Sequence, residues 1–288
     1  MRAILVPVAD RPECVHALET TFGLAHRLGA DVIGCHIRAQ RADDEPETKE
    51  NQWFSTTPRE EWPTLPETEA LAASDGAHTL FKKLADAHSY RLSKKPGAQK
   101  APVALWQERV GTPNYIMPII GPASDMIVVS RPLSKGGKKA QALMMQALFT
   151  GHRPVLILPQ QQHPLAGKKV AIGWNKGGFE ARTLLAVLPL LKQAEDVVFI
   201  TVGRDSKSGP NARDMIGYLK HHGISARHRD VKSNNNPSEK LVAAVIDEGS
   251  DLLVCGAYSR NRLHEMIFGG VTQHLLTKTD MPILMMHH

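Results

Sequence analysis

Two glycine-bearing segments in the second half of the chain contain residue types that could hold a nucleotide. The first is residues 173–178 (GWNKGG), and the second is residues 254–272 (VCGAYSRNRLHEMIFGGVT). Glycines let the backbone approach a ligand closely, and the start of a helix presents unpaired N–H groups and the positive end of its dipole. Arg260 and Arg262 add positive charge, and Thr272 adds a hydroxyl. Together these features predict a cradle for the phosphates of a nucleotide.

Each of these features alone has a simpler explanation. A glycine pair before a helix is more often a turn, isolated arginines are surface charges, and Asn175 alone would be a helix N-cap. The prediction rests on their combination at neighbouring strand ends. In an open parallel sheet, ligands bind beyond the carboxyl ends of the strands, where the winding direction reverses.

Catalytic and metal chemistry are less well supported by the sequence. No G-x-S-x-G nucleophile motif occurs, and Ser259 lies near His264 without an evident acid to orient the histidine. The adjacent His-His pairs do not share a helix or strand face. The three cysteines lie far apart without a C-x-x-C pair, so neither a disulfide framework nor a zinc site is indicated. We therefore expect no catalytic residue and no protein metal ligand.

Strand and helix patterns alternate through the second half and place both segments at strand ends. Short runs of Val, Ile and Leu predict strands near residues 168–174, 196–203, 225–231, 251–255 and 281–286. Apolar spacing and capping residues predict helices near residues 178–193, 209–222, 237–248 and 270–279. Strands without polar alternation are typical of a parallel sheet buried on both faces. The alternation therefore predicts a doubly wound α/β domain.

The first half of the chain repeats this pattern. Residues 31–37 (DVIGCHI) correspond to residues 196–202 (DVVFITV), and residues 153–158 (RPVLIL) correspond to residues 281–286 (MPILMM). We interpret the chain as a diverged tandem duplication. The predicted fold class is α/β, with two tandem doubly wound, Rossmann-like domains, each a five-stranded, mostly parallel sheet flanked by helices.

The predicted domains are residues 1–158 and 168–288, joined by a linker at 159–167. Residues 38–70 lengthen the first copy, and their Asp, Glu, Pro and Thr content favours a loop. Trp53, Phe54 and Trp62 lie within this insertion. They favour docking of part of it, either on its own domain or in a dimer contact.

Composition limits the function classes further. The chain has 288 residues, of which 42% are hydrophobic and 22% charged, as is typical of globular proteins, and no apolar run is long enough to cross a membrane. Its first residues lack a secretory signal pattern. The net charge of +6 is spread over isolated basic pairs instead of a basic stripe with aromatics. We therefore expect a cytoplasmic protein that binds neither membrane nor nucleic acid.

The second segment resembles the phosphate-binding pattern of the universal stress proteins in their tandem bacterial form. That pattern is a Gly, two residues, a Gly, nine residues and Gly-Ser/Thr, and Gly256, Ser259, Gly269 and Gly270 keep its spacings. The stretch GxYSRxRLxExxFGGVTxxLL is similar to the version in paired-domain members. The resemblance implies an adenine nucleotide alpha hydrolase-like fold, ATP as the ligand, with or without magnesium, and dimerisation through the final strand of each repeat.

Three residues depart from the family pattern. Ser259 replaces a glycine and narrows the approach of the backbone to phosphate, and Gly270 removes a hydroxyl donor. Asn175 stands where the family carries an acidic residue that reads the base or ribose. These departures leave open whether ATP, ADP, AMP or no nucleotide binds.

The first half departs further from the pattern. Residues 138–149 contain no counterpart of the late glycine pair, and Ala9 stands at the family's acidic position with Asp10 one place later. Gly136 and Gly137 are either an anion-binding turn or a simple loop. We interpret this copy as degenerate, with a structural role.

The resulting prediction is a stress-response sensor or regulator that recognises an adenine nucleotide in its C-terminal domain without turning it over. Its partners are a second copy of the chain and an unidentified regulatory protein. Two alternatives stay open: a scaffold of the same fold without nucleotide, and a slow ATP hydrolase with Glu265 as the candidate metal-holding carboxylate. The predicted cofactor-binding residues are Gly173, Trp174, Asn175, Val202, Gly256, Ala257, Ser259, Arg260, Gly269, Gly270, Val271 and Thr272.

Overall fold

The chain divides into two compact units, Met1–Pro164 (unit 1) and Leu165–His288 (unit 2). The division falls inside the segment predicted as a linker, residues 159–167. The computed structural model describes residues 1–38, 66–97, 101–132, 137–161, 163, 166–175, 178–203, 209–233, 236–257, 274–276 and 279–287.

Unit 1 is an alternation of strands and helices around one sheet. The strand order is β3-β4-β2-β1-β5-β6, and the described pairings are parallel. The elements are β1 (Ala3–Pro7), α1 (Pro12–Leu28), β2 (Asp31–Arg38), α2 (Glu67–Ala87), β3 (Arg91–Ser93), β4 (Val103–Val110), α3 (Pro113–Ile120), β5 (Met126–Ser130), α4 (Lys138–Thr150) and β6 (Val155–Leu158).

Two details of unit 1 differ from the prediction. The described residues of unit 1 form six strands instead of five, because the three-residue strand β3 pairs with β4 and becomes the edge strand. Three residues are too few to show a strand periodicity in the sequence. Residues 67–70, predicted as the end of the insertion, already form the first turn of α2. At the other end of the predicted insertion, Arg38 is still the last residue of β2. Residues 39–65, which include the three large aromatic residues, fall outside the described residues.

Unit 2 contains five parallel strands in the order β11-β10-β7-β8-β9. The bounds of these five strands and of the first three helices of unit 2 agree with the predicted bounds to within three residues. Residues 274–276 are helical, inside the predicted final helix. The elements are β7 (Lys169–Gly173), α5 (Gly178–Leu191), β8 (Asp196–Val202), α6 (Ala212–His221), β9 (Arg227–Val231), α7 (Pro237–Asp247), β10 (Leu252–Ala257) and β11 (Ile283–His287).

Local sequence signals explain where the helices of unit 2 begin and end. Asn211 and Asp214 form a reciprocal capping box at the start of α6, and Gly223 follows its end at φ +75°. Pro237 is the first residue of α7, as predicted. Asn236 is its N-cap by position, but its side chain donates to Glu239 instead of accepting from a helix N–H.

The two units share the same architecture, which supports a tandem duplication. Apart from β3, both sheets run third, second, first, fourth, fifth strand. The residue before the fourth of these strands is also the same type. Asp125 accepts hydrogen bonds from the amides of Arg2 and Ala3, and Asp251 accepts from the three amides of residues 167–169. In each unit a carboxylate therefore holds the start of the first strand.

Candidate functional site

The predicted site lies where the winding of the unit 2 sheet reverses. The first and fourth strands, β7 and β10, are neighbours and run parallel. A Cβ atom placed on Gly173 would lie 3.6 Å from the Cβ of Cys255, so the carboxyl ends of the two strands meet. The structure therefore brings together the described residues of the two glycine-bearing segments, Gly173 to Asn175 and Gly256. Val202 ends β8, the other neighbour of β7.

A carboxylate that the sequence analysis missed lies directly against Gly256. Glu180 is in the first turn of α5, the helix that follows β7. A Cβ atom on Gly256 would lie 3.2 Å from Oε1 of Glu180 and 3.3 Å from its Cγ and Cδ atoms. The missing side chain at position 256 therefore leaves room for the carboxylate. One feature of the sequence could have identified Glu180 as a site residue. It lies in the first turn of a helix that starts at the carboxyl end of a strand.

The carboxylate of Glu180 is only partly satisfied. The Asn175 side chain and the backbone N–H of Glu180 itself hydrogen-bond to it and lower its pKa, but burial has the larger effect and raises that pKa. Its Oε2 atom is shielded from solvent and has no hydrogen-bond partner among the described residues. A buried polar atom without a partner is costly and uncommon in folded proteins. Oε2 is therefore well suited to accept or share a proton with a ligand.

The side chain of Trp174 is buried in the core of unit 2, next to Asn175 in the chain. Its side chain is only 3% exposed, and its indole N–H donates to the carbonyl of Pro210 at 3.0 Å. The ring packs edge-on against Phe199, with the ring centroids 5.7 Å apart. The side chain of Trp174 is therefore part of the core of unit 2, and its assignment as a cofactor-binding residue stays a prediction. The apolar surface of the ring is used in the core and leaves no open face for a base.

Cys255 is an inert neighbour of the site. Burial, and after it the charge of Glu180, raise the pKa of its thiol to about 12. The thiol is therefore protonated near neutral pH and is not a reactive nucleophile.

Most of the residues predicted to hold the phosphates lie outside the described part of the chain. Only the backbone of Ala257 is described. Six of the predicted residues fall outside the described part of the chain: Ser259, Arg260, Gly269, Gly270, Val271 and Thr272.

Among the described residues there is neither a cluster of metal-ligating side chains nor a helix that could span a membrane. No group of three or more His, Cys, Asp or Glu side chains is arranged there to hold a metal ion. Within the same residues, no helix is long and apolar enough to cross a membrane.

Unit 1 contains a cavity at the equivalent place, which we call the unit 1 cavity. It has a volume of about 180 Å³ and lies at the carboxyl ends of β1, β2 and β5, between the starts of α1 and α4. Asp10, Arg11 and Lys139 are among the charged residues in its lining. The sequence analysis did not predict a cavity in this copy. Of the glycine pair considered there, Gly136 falls outside the described residues, and Gly137 is the N-cap of α4.

The chain is similar in sequence to one known protein family, and the family match lies in unit 2. Residues 217–287 match the sequence model of the universal stress protein family. A universal stress protein of Methanocaldococcus jannaschii is 32% identical over 61 residues, which are 21% of this chain and 38% of that relative. The aligned stretch thus spans little more than a third of the relative's length.

Solved structures resemble the whole chain. A universal stress protein of Archaeoglobus fulgidus has a TM-score of 0.70 at 13% identity, with 99% of this chain and 98% of that chain covered. A protein from Pseudomonas aeruginosa, described as a putative universal stress protein, has a TM-score of 0.57 at 12% identity, with 100% and 93% covered. At these identities the likeness establishes the α/β fold with a mostly parallel sheet flanked by helices, as predicted.

Proposed function

Because residues 217–287 match the sequence model of the universal stress protein family, we propose that the chain is a member of that family and that unit 2 binds an adenine nucleotide, with ATP as the first candidate. The observation that carries the proposal is the buried Oε2 atom of Glu180, which has no partner among the described residues and lies at the carboxyl ends of β7 and β10. This is the place where ligands bind in open parallel sheets.

Glu180 supplies the acidic group that is missing at Asn175. The family pattern has a carboxylate at position 175 to read the base or ribose, and here the carboxylate comes from α5 and is hydrogen-bonded to Asn175. A ribose hydroxyl both donates and accepts hydrogen bonds. It can therefore pair with Oε2 whether Glu180 is ionised or protonated. Gly173 and Val202 would line the same pocket.

The phosphates would lie toward the segment after β10. In the proposal they contact Gly256, Ser259, Arg260 and the Gly269–Thr272 stretch, as the family pattern implies. Magnesium prefers phosphate oxygens and water to a cage of protein ligands in nucleotide sites. A magnesium ion would therefore enter with the nucleotide.

The proposed role is that of a sensor instead of an enzyme. Nucleotide occupancy changes the surface at the carboxyl ends of β7 and β10, and a regulatory protein partner binds one of the two states more tightly. Within the proposal the protein acts in the cytoplasm as a homodimer. The slow-hydrolase alternative predicts ATP turnover that disappears in Glu265→Gln.

The proposal is tested by identifying what the protein carries and what stabilises it. Mass spectrometry of the ligand released from freshly purified protein should detect an adenine nucleotide. If the protein carries none, thermal-shift titration with ATP, ADP and AMP should show a rise in Tm. Gly269→Glu should abolish the rise in Tm, because a carboxylate would occupy the phosphate site.

Glu195→Ala is the matched control for Glu180→Ala. Glu195 is exposed, pairs with Lys168 at 3.0 Å and precedes β8, at the amino edge of the sheet. Glu195→Ala should keep the nucleotide response of the unaltered protein, and Glu180→Ala should weaken it. An empty protein whose Tm does not respond to millimolar nucleotide would refute the proposal and favour the scaffold alternative.

A further inference from the structure

We propose that the unit 1 cavity binds an uncharged molecule about the size of one ring, whose single hydroxyl or N–H group donates a hydrogen bond to Nε2 of His36. This proposal does not rest on nucleotide binding by unit 2. It also changes the interpretation of the first copy as purely structural.

The size of the cavity limits the size of the ligand. Its volume of about 180 Å³ is close to the roughly 150 Å³ of a cavity known to hold benzene. A single ring with one small substituent fits this space, whereas an adenine base with ribose and three phosphates does not. The uncharged residues of the lining are mainly apolar and include Val8, Ile37, Ala70, Val129 and Leu143.

The charged groups around the cavity balance one another. Arg38 pairs with Glu108 at 3.0 Å, so this cation is compensated within the protein. The other charged residues of the described lining are two acids and two bases: Asp10, Glu13, Arg11 and Lys139. A ligand of either charge would therefore lose its hydration without a matching gain, and an uncharged ligand avoids this cost.

Three uncharged polar side chains of the lining are weak or already engaged hydrogen-bonding groups. The hydroxyl of Ser130 donates to the backbone carbonyl of Glu13 at 3.0 Å. Burial raises the pKa of the Cys14 thiol to about 11 and that of Cys35 to about 12, so both thiols are protonated near pH 7. A protonated thiol is only a weak donor and a weak acceptor.

His36 provides the acceptor for a ligand. It lines the cavity and is only 7% exposed. Its Nδ1 atom lies 2.9 Å from the carbonyl oxygen of Val8, and because a carbonyl can only accept, Nδ1 carries the proton of the neutral ring. Nε2 therefore has a free lone pair, and no described residue donates a hydrogen bond to it. An unpaired acceptor in the wall of a mainly apolar cavity favours a ligand that supplies the donor.

The test is titration of the full chain with 4-fluorophenol, followed by fluorine NMR at pH 8, where an ordinary phenol and an ordinary imidazole are uncharged. The matched probe is 4-fluorotoluene, which has a methyl group in place of the hydroxyl. We expect saturable binding of the phenol, at least as tight as that of the toluene, because the bond to His36 offsets the lost hydration of the hydroxyl. The charged probes 4-fluorobenzoate and 4-fluorobenzylamine should bind about tenfold more weakly than the phenol, or weaker still.

His36→Leu separates the hydrogen bond from the apolar space. It should weaken binding of the phenol about tenfold, the effect of losing one hydrogen bond, and leave binding of the toluene unchanged. His26→Leu is the matched control, because His26 is exposed in the last turn of α1 and lies outside the described lining. It should change neither affinity.

Ala73→Leu tests the cavity without altering His36. Ala73 lies in the lining, whereas Ala72, its exposed neighbour on α2, does not. Ala73→Leu should weaken binding of both the phenol and the toluene about tenfold or more, because the larger side chain takes up part of the space. Ala72→Leu, the matched control, should weaken neither.

Two further measurements keep the outcomes distinct. The Tm of each variant shows whether it is folded, and Glu180→Ala should leave phenol binding unchanged, which separates this site from the proposed nucleotide site. Absence of saturable binding at millimolar phenol, or tighter binding of either charged probe, would overturn the proposal. Unchanged phenol affinity in a folded His36→Leu variant or in Ala73→Leu would also overturn it.

Discussion

Glu180 connects the sequence of unit 2 to its proposed function. Its carboxylate occupies the space that Gly256 leaves open, and one of its oxygens is buried with no hydrogen-bond partner in the described structure. Such an arrangement costs free energy in the empty protein. A ligand that offers a hydroxyl to Oε2 recovers this cost on binding. In the proposed function, the same residue lowers the stability of the ligand-free unit and contributes to ligand recognition.

The raised pKa of Glu180 predicts a pH-dependent stability. A carboxyl whose pKa is higher in the folded than in the unfolded state stabilises the fold while it is protonated. This contribution is lost as the pH rises from the ordinary Glu value of 4.5 through the folded pKa. We expect the free energy of unfolding of the wild type, minus that of Glu180→Gln, to fall with rising pH and then level off. Urea unfolding of both proteins at several pH values in this range measures the difference in the free energy of unfolding. A difference that does not change with pH would contradict the raised pKa of Glu180.

Gly256 should be sensitive to a single methyl group. In Gly256→Ala the Cβ atom would contact the Glu180 carboxylate at 3.2 Å and push it from its position. We expect nucleotide affinity to fall about tenfold, the effect of losing one hydrogen bond. The control is Gly217→Ala on α6, where nothing lies within 4 Å of the added atom. Isothermal titration of both variants checks this, and equal affinities would show that Glu180 is not held by Gly256.

At the scale of elements, the sequence predicted the regular structure well and the sites less well. Apolar runs and capping residues are local signals, so the five strands and the first three helices of unit 2 were placed to within three residues. Glu180 was missed because its contact with Gly256 joins a helix to a strand 76 residues later. The unit 1 cavity was missed for the same reason, since three strands and three helices line it.

The contact between β2 and α2 shows how closely the elements of unit 1 pack. A Cβ atom on Gly34 would lie 2.6 Å from the ring of Phe81, whose side chain is fully buried and packs against Phe22. We therefore expect Gly34→Ala to reduce the free energy of unfolding by about 1–3 kcal/mol, the usual cost of overpacking a core.

Gly23→Ala is the control for this prediction, because Gly23 lies inside α1 with nothing within 4 Å of the added atom. Alanine there should stabilise the helix by roughly 0.5–1 kcal/mol. Urea unfolding of the two variants compares them. Equal stabilities would show that the β2–α2 packing can expand without cost.

At the scale of the whole molecule, the duplicated carboxylates support the division into two similar units. Asp251 accepts three backbone hydrogen bonds at the start of β7 and so joins β7 to the beginning of β10. We expect Asp251→Ala to destabilise unit 2 by about 3 kcal/mol, because three hydrogen bonds to a charged group are lost and the amide of the buried Gly167 is left without this partner.

Hydrogen exchange measures this effect, as faster exchange of the amides of β7 and β10. The control is Asp247→Ala, which removes an exposed carboxylate paired with Arg229 at 2.9 Å and should change the stability by less than about 1 kcal/mol. Similar exchange rates in the two variants would refute the structural role of Asp251.

Isothermal titration tests whether unit 2 binds an adenine nucleotide through Glu180. The nucleotide-free full chain is titrated with ATP and with its 2′-deoxy and 3′-deoxy analogues. We expect that ATP binds and that at least one deoxy analogue binds about tenfold more weakly. We also expect that Glu180→Ala removes this difference. Absence of ATP binding, or the same preference for ATP in Glu180→Ala as in the wild type, would contradict nucleotide binding through Glu180.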